Sequence, residues 1–182
     1  PHVVRAMDAR EIDGKPVLVM EYIAGLDLSS VVKHIGRLSV ADACEVIRQT
    51  ALGLQAAHEN GLVHRDVKPS NLMVTLVPAD SLPADSTFTD GGESERAVVK
   101  ILDLGLALLN AGHETADKEL TGSQQIMGTV DYMAPEQTVN THAVDIRADI
   151  YSLGCTLYAL LSGRAPFADQ SQPWQKLVAH NN

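Results

Sequence analysis

A chain of 182 residues, 45% of them hydrophobic, is long enough to bury the core of one domain or most of one. Its formal net charge of -9 and pI near 5.1 argue against a nucleic-acid-binding surface, which needs clustered Lys and Arg to neutralise phosphates. Much of the charge is local: residues 76–97 hold Asp80, Asp85, Asp90, Glu93 and Glu95 against Arg96 alone, and the remainder is only mildly acidic.

The elements fall in order. "VVRAMD" and, beyond the Asp13-Gly14 turn signal, "PVLVMEYI" read as a strand pair, being short apolar runs punctuated by Gly and Pro. "DLSSVVKHIG" is a short helix stopped by Gly36. A long helix begins at Ser39, where Ser39 and Asp42 match the S-x-x-D cap; Ala43, Val46, Ile47, Ala51, Leu54 and Ala57 follow at helical spacing, up to Gly61. "LMVT" and "VVKIL" are two short strands that should pair. The Pro-, Ser-, Asp- and Gly-rich run between them lacks an apolar period and reads as an inserted, flexible loop over 76–97. Its Ser81, Ser86, Thr87, Thr89 and Ser94 offer hydroxyls for modification, against the plainer reading of a tolerated surface insertion. "IRADIYSLGCTLYALLSG" places Ile150, Leu153, Leu157, Leu160 and Leu161 on one stripe of a helix central to the core, ended by Gly163 and Pro166. "QPWQKLVAH" starts a further helix.

Cys44 and Cys155 lie in helix-like segments without C-x-x-C spacing, and the seven histidines show no ligand spacing with them. Both read as core thiols in a reducing compartment, with neither disulfide nor zinc site. No signal peptide and no stretch of transmembrane length appear. Neither end reads as a natural terminus, so whether the parent carries a membrane anchor stays open, as does its oligomeric state.

The chemistry concentrates in "GLVHRDVKPSNLMV", residues 61–74. Phosphoryl transfer asks a protein for charge compensation, an aligned nucleophile and held metal ions rather than covalent help. Asp66 can orient a hydroxyl and accept its proton, and Lys68 can offset charge on the moving phosphate. Asn71 and Asp103, the latter after an apolar strand, can offer oxygen to Mg²⁺, which such hard ligands suit better than zinc. Each residue alone has a plainer reading: an Asp–Lys pair in a loop is usually a solvated ion pair, His58 and His142 are surface or satisfied core histidines, and Met20 and Met73 are packing residues.

Order and spacing decide. "HRDVKPSN", then "DLG", then "GTVDYMAPE", then "DIYSLG" resembles the signature series of the protein kinases, in sequence over residues 64–154, and the resemblance extends from about residue 3 to the end of the chain. The wording of "GTVDYMAPEQ" and "RADIYSLGCTLYALLSGRAPF" is similar to the bacterial eukaryote-like (Hanks-type) serine/threonine kinases. The resemblance implies an α+β kinase-like fold: remnant N-lobe strands at 1–20, a hinge at 21–27 and an incomplete helical C-lobe at 28–182. It implies transfer of the ATP γ-phosphate to Ser and Thr hydroxyls of proteins, with ATP and Mg²⁺ required and a cytoplasmic setting.

By the same resemblance, Asp66 is the catalytic base, Lys68 the phosphate stabiliser, and Asn71 and Asp103 the metal ligands. Met20 is the gatekeeper, the Glu21 carbonyl and Ile23 amide face adenine, Asp27 lies near ribose, and Met73 forms the apolar floor. His64 is structural, and Arg65 pairs with a phosphorylated activation segment running from Asp103 to Glu136. Within that segment Thr121 or Ser123 is favoured for modification, while Thr129 matches the threonine that contacts base and lysine. Glu136 awaits an arginine from later helices, and Asp149 braces the catalytic loop. Lys68 and Thr129 resemble the serine/threonine rather than the tyrosine class.

Departures are Leu104 for the phenylalanine of D-F-G, able to pack under His64, and Val67 for leucine. The 182 residues contain no G-x-G-x-x-G loop, no V-A-I-K-type lysine and no helix with its glutamate partner; Lys15 and Lys33 do not fill that role. The chain therefore reads as a kinase-domain fragment, inactive alone because nothing clamps the triphosphate from above. A pseudokinase, scaffold or nucleotide-binding signalling module is the alternative. Small-molecule phosphotransfer is a third reading, against which the "GTVDYMAPE" segment speaks.

Overall fold

The computed structural model describes residues 1–78, 95–104, 130–139 and 144–181. Strands β1 (Ala6–Ile12) and β2 (Lys15–Met20) form an antiparallel hairpin with Ile12 opposite Lys15 and Ala6 opposite Met20. Asp13 and Gly14 turn it with φ of 51° and 73°, the paired left-handed conformation that a two-residue hairpin requires and Asp-Gly supplies cheaply. The first valines of "VVRAMD" do not join this hairpin. Val3 instead bridges Ile101 in parallel, and the Val4 amide donates to the Ile101 carbonyl at 2.9 Å, so the opening residues line a second sheet.

That sheet has the order β3-β4-β5, antiparallel throughout: β3 (Gly25–Asp27), β4 (Leu72–Pro78) and β5 (Glu95–Ile101). The expected pairing of "LMVT" with "VVKIL" is present and runs further than expected, through Leu76–Ala97, Val77–Arg96 and Pro78–Glu95. The insertion boundaries of 76–97 were therefore too wide, because paired strand extends to 78 and resumes at 95; residues 79–94 lie outside the described residues. β3 has no strand-like apolar run of its own. It is held in place by register against Met73–Thr75, and at Gly25 a Cβ would meet the Val74 carbonyl oxygen at 2.1 Å.

Helix α1 (Leu28–Ile35) is capped by Asp27 and ended by Gly36, and α2 (Val40–His58) starts at Ser39, whose hydroxyl oxygen accepts the Asp42 amide at 3.1 Å. A 3-10 turn, Pro69–Asn71, leads into β4. Short α3 (Pro135–Val139) precedes α4 (Ile146–Ser162), which ends at left-handed Gly163, and α5 (Pro173–His180) follows. Leu28, Val46, Leu54, Val67, Leu72, Ile101 and Leu160 are among the residues of the central apolar cluster, where α1, α2, α4 and the three-stranded sheet meet.

Periodicity located both long helices but partly misassigned their faces. On α2 Ala51 is exposed, whereas Gln49, Thr50 and Gly53 are buried. Gln49 earns its place by clipping the sheet: its Oε1 accepts the Val99 amide at 2.8 Å and its Nε2 donates to the Ala97 carbonyl at 3.2 Å. A buried side-chain amide so satisfied covers strand backbone that would otherwise need water. On α4 Ile150 is 60% exposed, and the buried face is Ala148, Asp149, Ser152, Cys155, Thr156, Ala159 and Leu160, mostly small residues.

The two cysteines also part company, since Cys155 is buried as expected and Cys44 is exposed on α2. Burial pushes the Cys155 thiol up to about 11, with the Tyr151 hydrogen bond pulling the other way. A brief pulse of iodoacetamide on the native protein at pH 8 should therefore alkylate Cys44 and spare Cys155, because only thiolate reacts. Peptide mass spectrometry reads the ratio, and equal labelling would contradict the placement of either thiol.

Candidate active site

The loop between α2 and β4 is organised around one side chain from a distant helix. Asp149, in the first turn of α4 and fully buried, accepts the His64 amide on Oδ2 at 2.9 Å and the Arg65 amide on Oδ1 at 2.7 Å. His58, at the end of α2, adds its Nε2 to Oδ2 at 2.8 Å. His58 is thus a satisfied core histidine, one of the two plain readings, but its partner is this carboxyl group, a contact no local sequence pattern announces.

His64 is buried and bridges inward and outward. Its Nε2 donates to the Leu102 carbonyl at 2.8 Å, which leaves Nδ1 to accept the Asp66 amide at 3.2 Å. The Leu102 amide in turn donates to the Asn71 carbonyl at 2.9 Å, so the ends of the loop and of β5 are stitched together and Asp103 follows directly. Arg65 and Asp103 both take left-handed backbone, with φ of 68° and 63°. Non-glycine residues held there cost of order 1–3 kcal/mol each and persist where surrounding bonds over-determine them. Leu104 is buried in the apolar cluster.

Asp66 is half-buried, with Oδ2 accepting from Lys68 Nζ at 2.7 Å and from Asn71 Nδ2 at 3.0 Å. Asn71 Nδ2 also donates to the Asp66 carbonyl at 2.8 Å, so its amide nitrogen is committed within the loop and Oδ1 is the atom left for a cation. Asn71 and Asp103 together offer one amide and one carboxyl oxygen, a donor set of the hard type that Mg²⁺ takes. Asp66, Lys68, Asn71, Asp103, His64, Arg65 and Asp149 are thus brought to one locus.

The residues expected to form the hinge follow β2. Met20 ends β2, and Ile23 follows half-buried. Glu21 turns its side chain to Lys100 Nζ at 2.8 Å and to the Arg5 amide at 2.9 Å, and these two donors hold its carboxyl below the usual range. Met73 on β4 stands opposite Asp27 on one side and Lys100 on the other, which links it to Asp27 directly and to Glu21 through Lys100. Asp27 spends both oxygens on Ser30, taking its amide at 2.8 Å and its hydroxyl at 2.7 Å. Burial pushes that carboxyl up, and the Ser30 bonds more than offset it, leaving it lowered. The ribose contact expected of Asp27 must therefore share it with a helix cap.

Beyond the loop, Ser152 donates to the Tyr132 carbonyl at 2.7 Å and Lys176 of α5 pairs with Asp131, so α4 and α5 both hold the start of the "VDYMAPE" segment. Glu136 is exposed in the first turn of α3. Gln137, which sequence reasoning passed over, donates to the Arg65 carbonyl at 2.8 Å. Thr121, Ser123, Thr129 and His142 lie outside the described residues.

A strand hairpin followed by a small sheet and a helical body, whose Asp66–Lys68–Asn71 loop hangs from a buried carboxyl group, is the arrangement of a protein kinase. The chain belongs to that family: the sequence pattern described as "Protein kinase domain" matches residues 1–181. It is 36% identical over 156 residues to a probable serine/threonine-protein kinase PknB of Bifidobacterium longum, covering 86% of this chain and 19% of the relative. It is 34% identical over 175 residues to the serine/threonine-protein kinase PknB of Mycobacterium tuberculosis, covering 94% of this chain and 24% of that one. With PknH of Mycobacterium bovis the identity is 37% over 171 residues, covering 94% and 24%. The chain thus spans about a fifth to a quarter of the length of these relatives. Among solved structures it is similar to Rad53 1-466 in complex with AMP-PNP, with a TM-score of 0.67, 27% identity, and coverage of 98% of this chain and 38% of that one.

Losing Asp149 would orphan the buried His64 amide and the partly buried Arg65 amide, so Asp149→Ala should destabilise the protein by about 3 kcal/mol or more. His58→Ala, which removes one side-chain donor and leaves both amides satisfied, should cost about 1 kcal/mol. Urea unfolding of the two variants checks the order, and equal losses would contradict it.

Proposed function

We propose that the protein carrying this chain is an ATP-dependent kinase that phosphorylates Ser and Thr hydroxyls of protein substrates. The observation that carries the reading is the Asp66 carboxyl group, with Oδ2 anchored by Lys68 and Asn71 on a loop whose backbone hangs from Asp149. With Oδ2 so held, Oδ1 is left to accept the proton of a substrate hydroxyl as that oxygen attacks the γ-phosphorus. The bond from the γ-phosphorus to the β,γ-bridging oxygen breaks, and ADP leaves. Lys68 lies near enough to the base to neutralise charge on the transferred group, a stabilisation worth most where water is thin.

Asn71 Oδ1 and the Asp103 carboxylate would hold Mg²⁺, which when bound neutralises phosphate oxygens and orients them. Met20, Glu21 and Ile23 would frame adenine through backbone groups of the hinge, with Met73 beneath and Asp27 toward ribose. Arg65 would answer a phosphorylated Thr121 or Ser123, Thr129 would contact Asp66 and Lys68, and Glu136 would pair with a later arginine. No helix among the described residues is long and apolar enough to cross a membrane. A cytoplasmic setting, where ATP is supplied, suits the reaction.

The full-length protein should incorporate γ-phosphate from labelled Mg²⁺-ATP into a protein substrate on Ser or Thr. Asp66→Asn should lower kcat by about 10²-fold or more, on the scale of general-base loss, with little change in KM for ATP. Asp103→Asn should raise the Mg²⁺ concentration needed for half-maximal rate. Phosphoamino-acid analysis of the product decides the class. Absence of transfer to any protein substrate, or transfer undiminished in Asp66→Asn, would overturn the reading.

A further inference from the structure

Gln137 stands outside every role given above, yet its side chain makes two bonds in opposite directions. Its Oε1 accepts the Ala134 amide at 2.9 Å, and its Nε2 donates to the Arg65 carbonyl at 2.8 Å. The recipient is the strained residue directly before Asp66. Arg65 has φ of 68°, and its own amide is already fixed by Asp149 at 2.7 Å. The following peptide unit is therefore pinned at both ends, its carbonyl by Gln137 and its N–H by His64 Nδ1 at 3.2 Å. A peptide plane held at both ends sets the direction in which the next side chain, Asp66, leaves the backbone.

The other half of the Gln137 amide reaches the segment that α4 and α5 hold through Tyr132 and Asp131. Ala134 is fully buried, so its amide has no water to turn to if Gln137 withdraws. We infer that Gln137 is a positioning residue that sets the orientation of Asp66 through the Arg65 carbonyl and couples it to the placement of residues 130–134. The inference rests on the phosphotransfer reading for its effect on rate, though not for its effect on the loop. A displacement of 130–134 breaks the Ala134 bond, frees the Gln137 amide and releases the peptide in front of the base. Segment and base then move together, by way of one side chain rather than a chain of packed residues.

Two variants of the full-length protein test this. Gln137→Glu keeps an oxygen for the Ala134 amide but sets an acceptor against the Arg65 carbonyl, and Gln137→Met removes both bonds at similar volume. Each should lower kcat about 10- to 100-fold, the scale of a misplaced reacting group, while KM for ATP stays within about twofold. Thr138→Ala, on the same helix, deletes only the bond from the Thr138 hydroxyl to the Pro135 carbonyl and should leave kcat unchanged. Hydrogen exchange supplies a readout independent of activity: the Asp66 amide should exchange faster in both Gln137 variants than in the parent. An active parent whose Gln137 variants keep kcat within about twofold would overturn the inference, as would an equal loss in Thr138→Ala. If the parent transfers no phosphate, the proposed function fails by itself, and the Asp66 exchange rate still decides whether Gln137 pins the loop.

Discussion

A fully buried carboxyl group on a helix is the constraint from which the site is built. Asp149 has lost its water, a cost of several kcal/mol unless donors replace it. Three do: the amides of His64 and Arg65 and the ring of His58. Its place in the first turn of α4 adds the favourable end of a helix dipole. Because each donor comes from a different residue of the α2 end or the loop, the requirement to satisfy one side chain fixes where the chain must run before Asp66. The position of Asp66 is thus inherited from the packing of α4 against α2 and not from the loop's own preferences.

Close packing around α4 depends on small residues. Its buried face includes Ala148, Ser152, Cys155 and Ala159, with Ala148 set against Ala134 and Val144 and the Ser152 hydroxyl on the Tyr132 carbonyl, while Gly53 of α2 leaves room for His2 and Ile101. Here the reading by large apolar residues went astray, placing Ile150 inside when it is largely exposed. Leucine and isoleucine periodicity marks a helix dependably, but a face used for close approach is chosen for small volume and polar satisfaction. The same bias ranked Ala51 above Gln49, although the Gln49 amide is what meets the edge of β5.

Much of the site was nonetheless legible, and the reason is local. The Asp13-Gly14 turn, the Ser39 cap and the Gly36 and Gly163 stops are dictated by backbone geometry within a few residues. The cluster from His64 to Asn71 is one continuous loop whose members meet because they are neighbours. What stayed hidden are partners far apart in sequence: His58 with Asp149, Lys100 with Glu21, and Gln137 with Arg65 are separated by 91, 79 and 72 positions. Histidine, lysine and glutamine on helix or strand surfaces are commonplace, so nothing in their surroundings distinguishes a structural partner from a solvated one.

The chain divides its carboxyl groups by how firmly they are held. Asp149 is locked by amides that cannot move without unfolding the loop. Asp66 by contrast has 38% of its side chain exposed, and its ion pair with Lys68 is partly buried. Its bonds from Lys68 and Asn71 are made by side chains, which can turn about their own torsions without moving the backbone of the loop. Under the proposed phosphotransfer this contrast is useful. The base must keep its place, which falls to Asp149, His64 and Gln137 acting on backbone, while its side-chain partners must exchange as charge moves. Rigidity is thereby placed in peptide groups and adaptability in side chains, and a loop carrying strained backbone at Arg65 can remain ordered while the charges it presents are rearranged.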